Sequence, residues 1–561
     1  MQHLQYQSST PIQMRLTRLL SGFVFFVAMA VTSVQAQTES PARINWGPIS
    51  PEPNNTMATK VVGLTPDGYY LLRQKVLQSP SVRPRAWVEF ATKDLKVTRS
   101  EELDLKYKGK QRDFEDLIYY NGQLYLLTSF NNTAHKKNYL FLQKVSTRGL
   151  TASKSLKMIA ETEARNKEVE GSFAVDISKD STHLLVYHDL PFEKNNPARF
   201  GFHVFDQNFD LVWEKEVILP YPDNQFTVEE YRVDDQGNVF LLGVLYTDEA
   251  KFRRRGNPTY RYVLLSYLNK GETEDEIQID LPNKFITDLT FRVGNDGNLV
   301  FAGFYSDKGS YSIKGSYFFH LNPYDRSILN RKHTPFDFEF LTAFMRQKEK
   351  VRALQAEQNN DPRRSPELYN YSLDRLILRS DGGAVLVAEQ FYIERETYYR
   401  DYYPTYGYYP YGYYNSYYRN SRDIDYLYNY NDIIVVNIRP DGDLQWTARI
   451  PKWQETRNDG GYYSSYAMSI VRDKLYFLFN DDARNFDPKR KGDRIYKYTG
   501  SNEMMVLAEM NLQGDVQTYP VISGDGGVTL RPKMCKQTGL RELLLFGEAK
   551  RGFRLGKMIF N

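Results

Sequence analysis

Along this chain, short apolar runs alternate with tight polar turns, and the unit recurs at a spacing of about 55 to 60 residues wherever no insertion intervenes. The turns fall at Pro66-Asp67-Gly68, Asn121-Gly122, Lys179-Asp180, Gln236-Gly237, Asp296-Gly297, Asp381-Gly382, Arg472-Asp473 and Thr538-Gly539. Asp, Asn and Gly accept the positive φ that two-residue hairpin turns require. After each turn comes a run such as Leu124-Tyr125-Leu126-Leu127, Val239-Phe240-Leu241-Leu242 or Leu543-Leu544-Leu545-Phe546. Near-continuous apolar stretches of that length predict strands buried on both faces. A third strand follows, as in Ile433-Ile434-Val435-Val436, and often a fourth after another turn, as in Asp441-Gly442-Asp443-Leu444-Gln445-Trp446.

Four strands per repeat predict an all-β fold, a β-propeller of eight four-stranded blades, with seven as the alternative. The last unit stops at its third strand, 553–560. The segment Arg43-Ile44-Asn45-Trp46 is expected to supply the fourth and close the ring. A helix-like stretch at 340–358, within an insertion at about 337–362, interrupts the pattern between blades five and six. Blade six carries a second insertion at 392–430, read as a tyrosine-rich loop, and the propeller as a whole is expected to occupy 37–561.

The amino terminus reads differently. Arg15 and Arg18 precede the apolar run 19–31 and the small-residue site Val34-Gln35-Ala36. This is the pattern of a signal peptide spanning 1–36, and the run is short for a membrane span. Export to the periplasm or the outer-membrane surface is the expectation. A charge of +4, from 73 basic and 69 acidic residues, gives no concentrated basic face for nucleic acid. Cys535 is the one cysteine, so no intramolecular disulfide exists; it reads as a buried small hydrophobe.

Aromatic residues make up 15% of the chain, with 44 tyrosines. Twelve of these lie between Tyr398 and Tyr418, among them Tyr403, Tyr408, Tyr409 and Tyr413. Flat rings with polar tips suit stacking on a sugar or covering a protein partner, and a low-complexity loop without a ligand is the competing reading. Trp453, Arg457 and Asp459 in the next crossover join the tyrosines as candidate ligand-binding residues. Asn480, Asp481 and Asp482 are candidate oxygen ligands for Ca²⁺, against the plainer reading of a polar strand end. Lys251 and Arg253 to Arg255 are candidates for an anionic headgroup or glycan, against a solvated charge run.

Acidic residues recur near the starts of the innermost strands, at Asp116, Asp176, Glu230, Asp288 and Asp374. They predict an acidic ring at the channel, of which Asp288, Asp374 and Glu230 are the catalytic candidates if the chain hydrolyses or cleaves a glycan. Arg232, Arg292 and Arg375 beside them favour structural ion pairs. Trp213 and Trp446 read as blade packing. No nucleophile elbow, phosphate loop, dinucleotide fingerprint or zinc spacing is present.

The segments Asn431-Asp432-Ile433-Ile434-Val435-Val436-Asn437-Ile438, Ile450-Pro451-Lys452, Gly460-Gly461-Tyr462-Tyr463-Ser464-Ser465-Tyr466 and Phe479-Asn480-Asp481 resemble a family of uncharacterised exported proteins of Bacteroidota-type bacteria. The likeness is strongest over about the last 190 residues. It implies an envelope location and brings no activity, substrate or catalytic residue. The functional expectation is a non-catalytic propeller that binds an envelope protein or glycan. A carbohydrate-active enzyme and a subunit of an envelope assembly are the alternatives.

Overall fold

In the computed structural model, the described residues are 40–75, 85–107, 109–166, 170–193, 196–247, 258–359, 361, 363–399, 422–490, 495–521 and 527–561. Residues 40–561 form one compact unit. Eight antiparallel sheets follow one another along the chain as the blades of a propeller: 56–102, 113–163, 173–222, 226–279, 285–335, 371–457, 467–521, and finally 528–560 joined by Ala42–Trp46. In each of blades one to seven, strands pair in chain order from the first, which is innermost, to the fourth.

The apolar runs form the second strands, as their pattern requires. Leu299–Ser306 is buried at every position, and Val239–Tyr246 at all but its last. Such a strand has a neighbouring blade on each face, so neither face can be polar. The buried residues accordingly form clusters that lie between successive blades, for example Leu185, Phe202 and Trp213 with Leu241 and Val263.

Indole rings tie blades at their rims. Trp213 donates from Nε1 to the Gly237 carbonyl (2.9 Å), and Trp446 to the Leu512 carbonyl (2.7 Å), each in the following blade. The Trp446 ring lies where a Cβ on Gly514 would sit, 2.8 Å away. Gly514 also has a φ of +86°, so both the ring and the turn call for glycine there.

Closure follows the expected route. Ala42–Trp46 pairs antiparallel with Gly552–Phe560, in register from Ala42↔Phe560 to Trp46↔Gly556. The innermost strand of this last blade departs from the expectation. It is split into Val528–Leu530 and Lys536–Gly539 by a 3₁₀ turn over Pro532–Met534, and the hairpin turn falls at 540–541 rather than at Thr538-Gly539.

The helical insertion is also real but broken, into Phe338–Thr342 and Gln347–Gln358. Asp337 caps the first helix by accepting from the Phe340 amide at 2.7 Å. Phe340 and Leu341 then pack into the core beside Leu376 and Leu386.

Candidate functional site

The charged residues of the innermost strands face a common channel, and their register explains what they do. In blades one, two, four, five and six a β-bulge inserts an extra residue near the start of the inner strand: Thr59, Glu115, Glu229, Thr287 and Asp374, with a second in blade one at Val62. The residue after each of these first bulges comes to the same level of the channel. That level holds Lys60, Asp116, Glu230, Asp288 and Arg375, with Asp176 in the unbulged blade three. The acidic ring expected from the sequence is therefore corrected at blade six. Asp374 occupies the extra position, and Arg375 stands where blades two to five carry an acid.

Most of these groups are engaged between neighbouring blades. Asp116 takes Lys60 (2.8 Å) and Asp176 takes Arg232 (3.2 Å). Glu230 accepts from Arg292 (2.7 Å), from the Thr290 hydroxyl (2.7 Å) and from Arg232. Asp288 accepts from the Leu373 amide of blade six at 2.9 Å. Asp374 accepts from the Tyr466 hydroxyl of blade seven at 2.9 Å. Glu230, Asp288 and Asp374, the catalytic candidates, are thus inter-blade ties, but only Glu230 is held by ion pairs; Asp288 is held by a backbone amide and Asp374 by a tyrosine hydroxyl. Burial pushes the Asp288 carboxyl up to about 6; burial, then Glu389 nearby, does the same for Asp374.

A raised carboxyl has a stability consequence of definite sign. The folded state holds the Asp288 proton up to a higher pH than the unfolded chain does, so this residue lowers stability as pH rises from about 4 to about 6. Asp288→Asn retains an acceptor oxygen for Leu373 and removes the buried charge. Allowing for partial solvent screening, it is expected to raise unfolding free energy at pH 7.5 by on the order of 1–2 kcal/mol. The gain should vanish near pH 3.5, as read from urea midpoints at the two pH values. A variant destabilised at pH 7.5 would contradict this account.

One side of the channel opens into a cavity of about 850 Å³, lined from blades five to eight and one. Its charged lining is Lys60, Arg292, Asp374, Arg375, Lys533 and Lys536. Lys533 donates to the Tyr430 hydroxyl (2.7 Å) with its ammonium 4.2 Å from the centre of that ring. Cys535 also lines the cavity, half-buried rather than buried, and packs against the cluster of Leu543 and Met558; desolvation pushes its thiol up to about 12, which keeps it protonated.

Behind this wall lies a polar cluster that strand alternation did not foretell. The Lys452 side chain is 0% exposed and pairs with Glu389, 4% exposed, at 2.7 Å. Its other donors reach the Tyr430 carbonyl (2.8 Å) and Gln454 Oε1 (3.0 Å). Ser465 donates to the second Glu389 oxygen at 2.6 Å.

Blade six departs most from the expected form. Residues 392–399 and 422–430, read as loop, are strand: Ala384–Tyr399 and Arg422–Ile438 pair continuously as far as Tyr399↔Arg422, past a bulge after Glu389. Leu444–Arg457 extends beside them to Leu427↔Arg457. The three strands form an arm longer than any other blade, which the charged and tyrosine-rich composition of 392–430 conceals in the sequence.

The blade-seven insertion lies along the edge of this arm. The Tyr498 amide donates to the Trp453 carbonyl and the Glu455 amide to the Tyr498 carbonyl, both at 2.9 Å. The Lys497 ammonium sits 5.6 Å from the Trp453 ring and 2.6 Å from Glu455. Trp453 remains 39% exposed. Arg457 joins Glu396 (3.2 Å) and Asp425 (2.5 Å) across the arm. Asp459 shapes the crossover by accepting from Thr456 (2.7 Å) and the Gly461 amide (2.9 Å). Of the proposed ligand-binding residues, the structure brings Trp453 and Arg457 onto the arm and gives Asp459 a turn-forming role. Tyr403, Tyr408, Tyr409, Tyr413, Lys251 and Arg253 to Arg255 lie outside the described residues.

Asn480, Asp481 and Asp482 are the buried end of a strand, Lys474–Asp482, rather than a loop. Asn480 is bonded to Tyr463 and Leu530 across the neighbouring segments, at 2.8 Å each. Asp481 Oδ1 accepts from the Asp482 amide and Asn485, and Asp482 from Arg484 and Asn502. Asn480 Oδ1, Asp481 Oδ1 and both Asp482 oxygens are thus taken by N–H donors. Among the described residues, no group of three or more His, Cys, Asp or Glu is placed to hold a metal.

No family model matches this chain, and no curated protein matches it. Among solved structures, it is similar to the WD40 domain of SCAP from fission yeast (8% identity, 93% of this chain and 95% of that one, TM-score 0.36). It is similar also to the β-propeller domain of the Trilobed protease from Pyrococcus furiosus, described as having an open velcro topology (9%, 84% and 96%, TM-score 0.33). A third is a protein of unknown function from Bacteroides caccae (10%, 72% and 94%, TM-score 0.26). Likenesses of this size concern the propeller fold and carry no functional argument.

Proposed function

We propose that this chain is an exported, non-catalytic binding propeller of a bacterial cell envelope, with the blade-six arm as its recognition element for an envelope protein or glycan. The observation that carries the reading is the arm itself. Three strands run on well past the length that ring packing uses, and their tip joins to the tyrosine-rich segment 400–421. Tyrosine rings, flat and with polar tips, suit capture of a sugar ring or a protein surface. Trp453, exposed on the same arm, adds an aromatic face nearby. The leader-like 1–36 segment supports the envelope setting.

The channel acids give a hydrolytic reading less support, since Glu230, Asp288 and Asp374 each accept from a neighbouring blade.

The test replaces 400–421 with a short Gly/Ser linker. The ladder up to Tyr399↔Arg422 remains, and shortening a loop costs little closure entropy. The expected result is an unchanged unfolding midpoint with at least a tenfold loss of binding to envelope extract or to a glycan array. Equal binding by the two proteins would refute the proposal.

A further inference from the structure

Two positions at this level of the channel are basic, and of these Lys60 is answered by Asp116 while Arg375 is answered by no carboxylate among the described residues. Its counterparts Asp116, Asp176, Glu230 and Asp288 are all spent on a neighbouring blade. Arg375 has no carboxylate within ion-pair distance among the described residues, and neither has Lys533 or Lys536. All three line the 850 Å³ cavity, together with Lys60 and Arg292, whose charges are answered by Asp116 and Glu230. Asp374 is the one acid among the described residues of that lining, and its Oδ2 already accepts from Tyr466.

Like charges gathered in a concave site repel one another and focus a positive potential, at a cost to folding that an ion tie would have avoided. Every other charged residue at this level of the channel has a partner in a neighbouring blade; Arg375 has no counter-charge, and neither have Lys533 and Lys536 beside it.

We infer that the cavity between blades six, seven, eight and one binds a small polyanion, a molecule bearing two or more phosphate, sulfate or carboxylate groups, through Arg375, Lys533 and Lys536. The guanidinium fork of Arg375 matches an oxyanion bidentately. Lys533 is steadied on the Tyr430 ring with donors to spare, and Lys536 has no hydrogen-bond or ion-pair partner among the described residues. The volume falls in the range of small-molecule sites and exceeds what a single phosphate needs. Met468, Pro532 and Met534 supply apolar wall between the charges, which suits a ligand with a carbon or sugar frame.

The site is separate from the blade-six arm, so the linker variant lacking 400–421 should retain it. Titration calorimetry in 150 mM salt, with inorganic pyrophosphate, citrate and a disulfated disaccharide as probes, tests the inference and tells the three oxyanion types apart. At least one probe should bind 1:1 with submillimolar affinity. Arg375→Gln/Lys536→Gln should weaken it tenfold or more, since each bond lost is charge-assisted. Asp374→Asn, which removes the one acid yet keeps an acceptor for Tyr466, should tighten it several-fold. Absence of saturable binding by all three probes, or wild-type affinity in the double variant, overturns the inference. Should the double variant fail to fold, Asp374→Asn decides alone: affinity unchanged or weaker overturns it.

Discussion

Deleting residues 40–46 is expected to remove most of the stability of the propeller while leaving every blade but the last with its full set of strands. Ala42–Trp46 is the only strand the eighth blade takes from the far end of the chain. It contributes a five-pair ladder to Gly552–Phe560, with each hydrogen bond worth about 1 kcal/mol net. It also contributes Ala42 and Ile44 to the cluster with Leu545 and Met558, and Trp46 over Gly547 and Gly556. Full burial of a large apolar side chain is worth roughly 1.5–3 kcal/mol, and Ile44 and Trp46, both half-buried, each contribute part of that. The sum is comparable with the whole stability of a typical domain, about 5–15 kcal/mol.

Loss of the strand also uncovers the edge of Gly552–Phe560 and frees the blade-one and blade-eight faces that meet at Tyr69, Leu71, Phe546 and Phe553. The deletion should lower the denaturant midpoint steeply, by circular dichroism, and a peptide of residues 40–50 added in trans should recover part of it by strand addition. An unchanged midpoint would mean that the ring holds without this closure. Cleavage after Ala36, as proposed, leaves five residues ahead of the strand and so preserves it.

What could be read from the sequence divides along physical lines. The second strands were legible because a strand between two blades must be apolar throughout, and Leu299 to Ser306 or Val239 to Leu245 advertise this without any partner being known. The closing strand was legible as the missing fourth member of a counted set.

Bulges were not. Asp374 and Arg375 are adjacent, and only the extra residue in the backbone decides which of them meets the channel level of Asp288. Alternation carries no mark of it. The split inner strand of blade eight was hidden for a related reason, since Pro532 breaks the run that would have shown its register. Polar runs misled in the opposite sense. Asn429 to Asp432 and Asn480 to Asp482 look like strand-end loops, yet both lie in strands and are largely buried, because the blade-six arm and the blade-seven insertion cover one another. A sequence shows that a segment is polar; it does not show that its partners come from 50 or 100 residues away.

The buried pair within that covered region should be the most sensitive place in the core. Lys452 spends its three donors on Glu389, the Tyr430 carbonyl and Gln454 Oε1, and Glu389 takes Ser465 on its other oxygen. Blades six and seven are thereby linked through groups that have no access to water. Burial pulls the Lys452 ammonium below its ordinary range, and Glu389 opposes that pull. Breaking one half of such a pair leaves a charge with neither solvent nor counter-ion, a cost of about 3–5 kcal/mol. Lys452→Met should therefore destabilise by about that amount, and Glu389→Gln by a similar amount, since the amide cannot answer the ammonium. Attraction between two desolvated ions is largely offset by the cost of desolvating them, so the pair itself adds little net stability. Combining Lys452→Met with Glu389→Leu removes both charges and should cost clearly less than the sum of the single variants. Denaturation midpoints of the wild type, the two singles and the double complete the cycle. Additive losses would show that the two side chains act independently, and that the link between blades six and seven is made elsewhere.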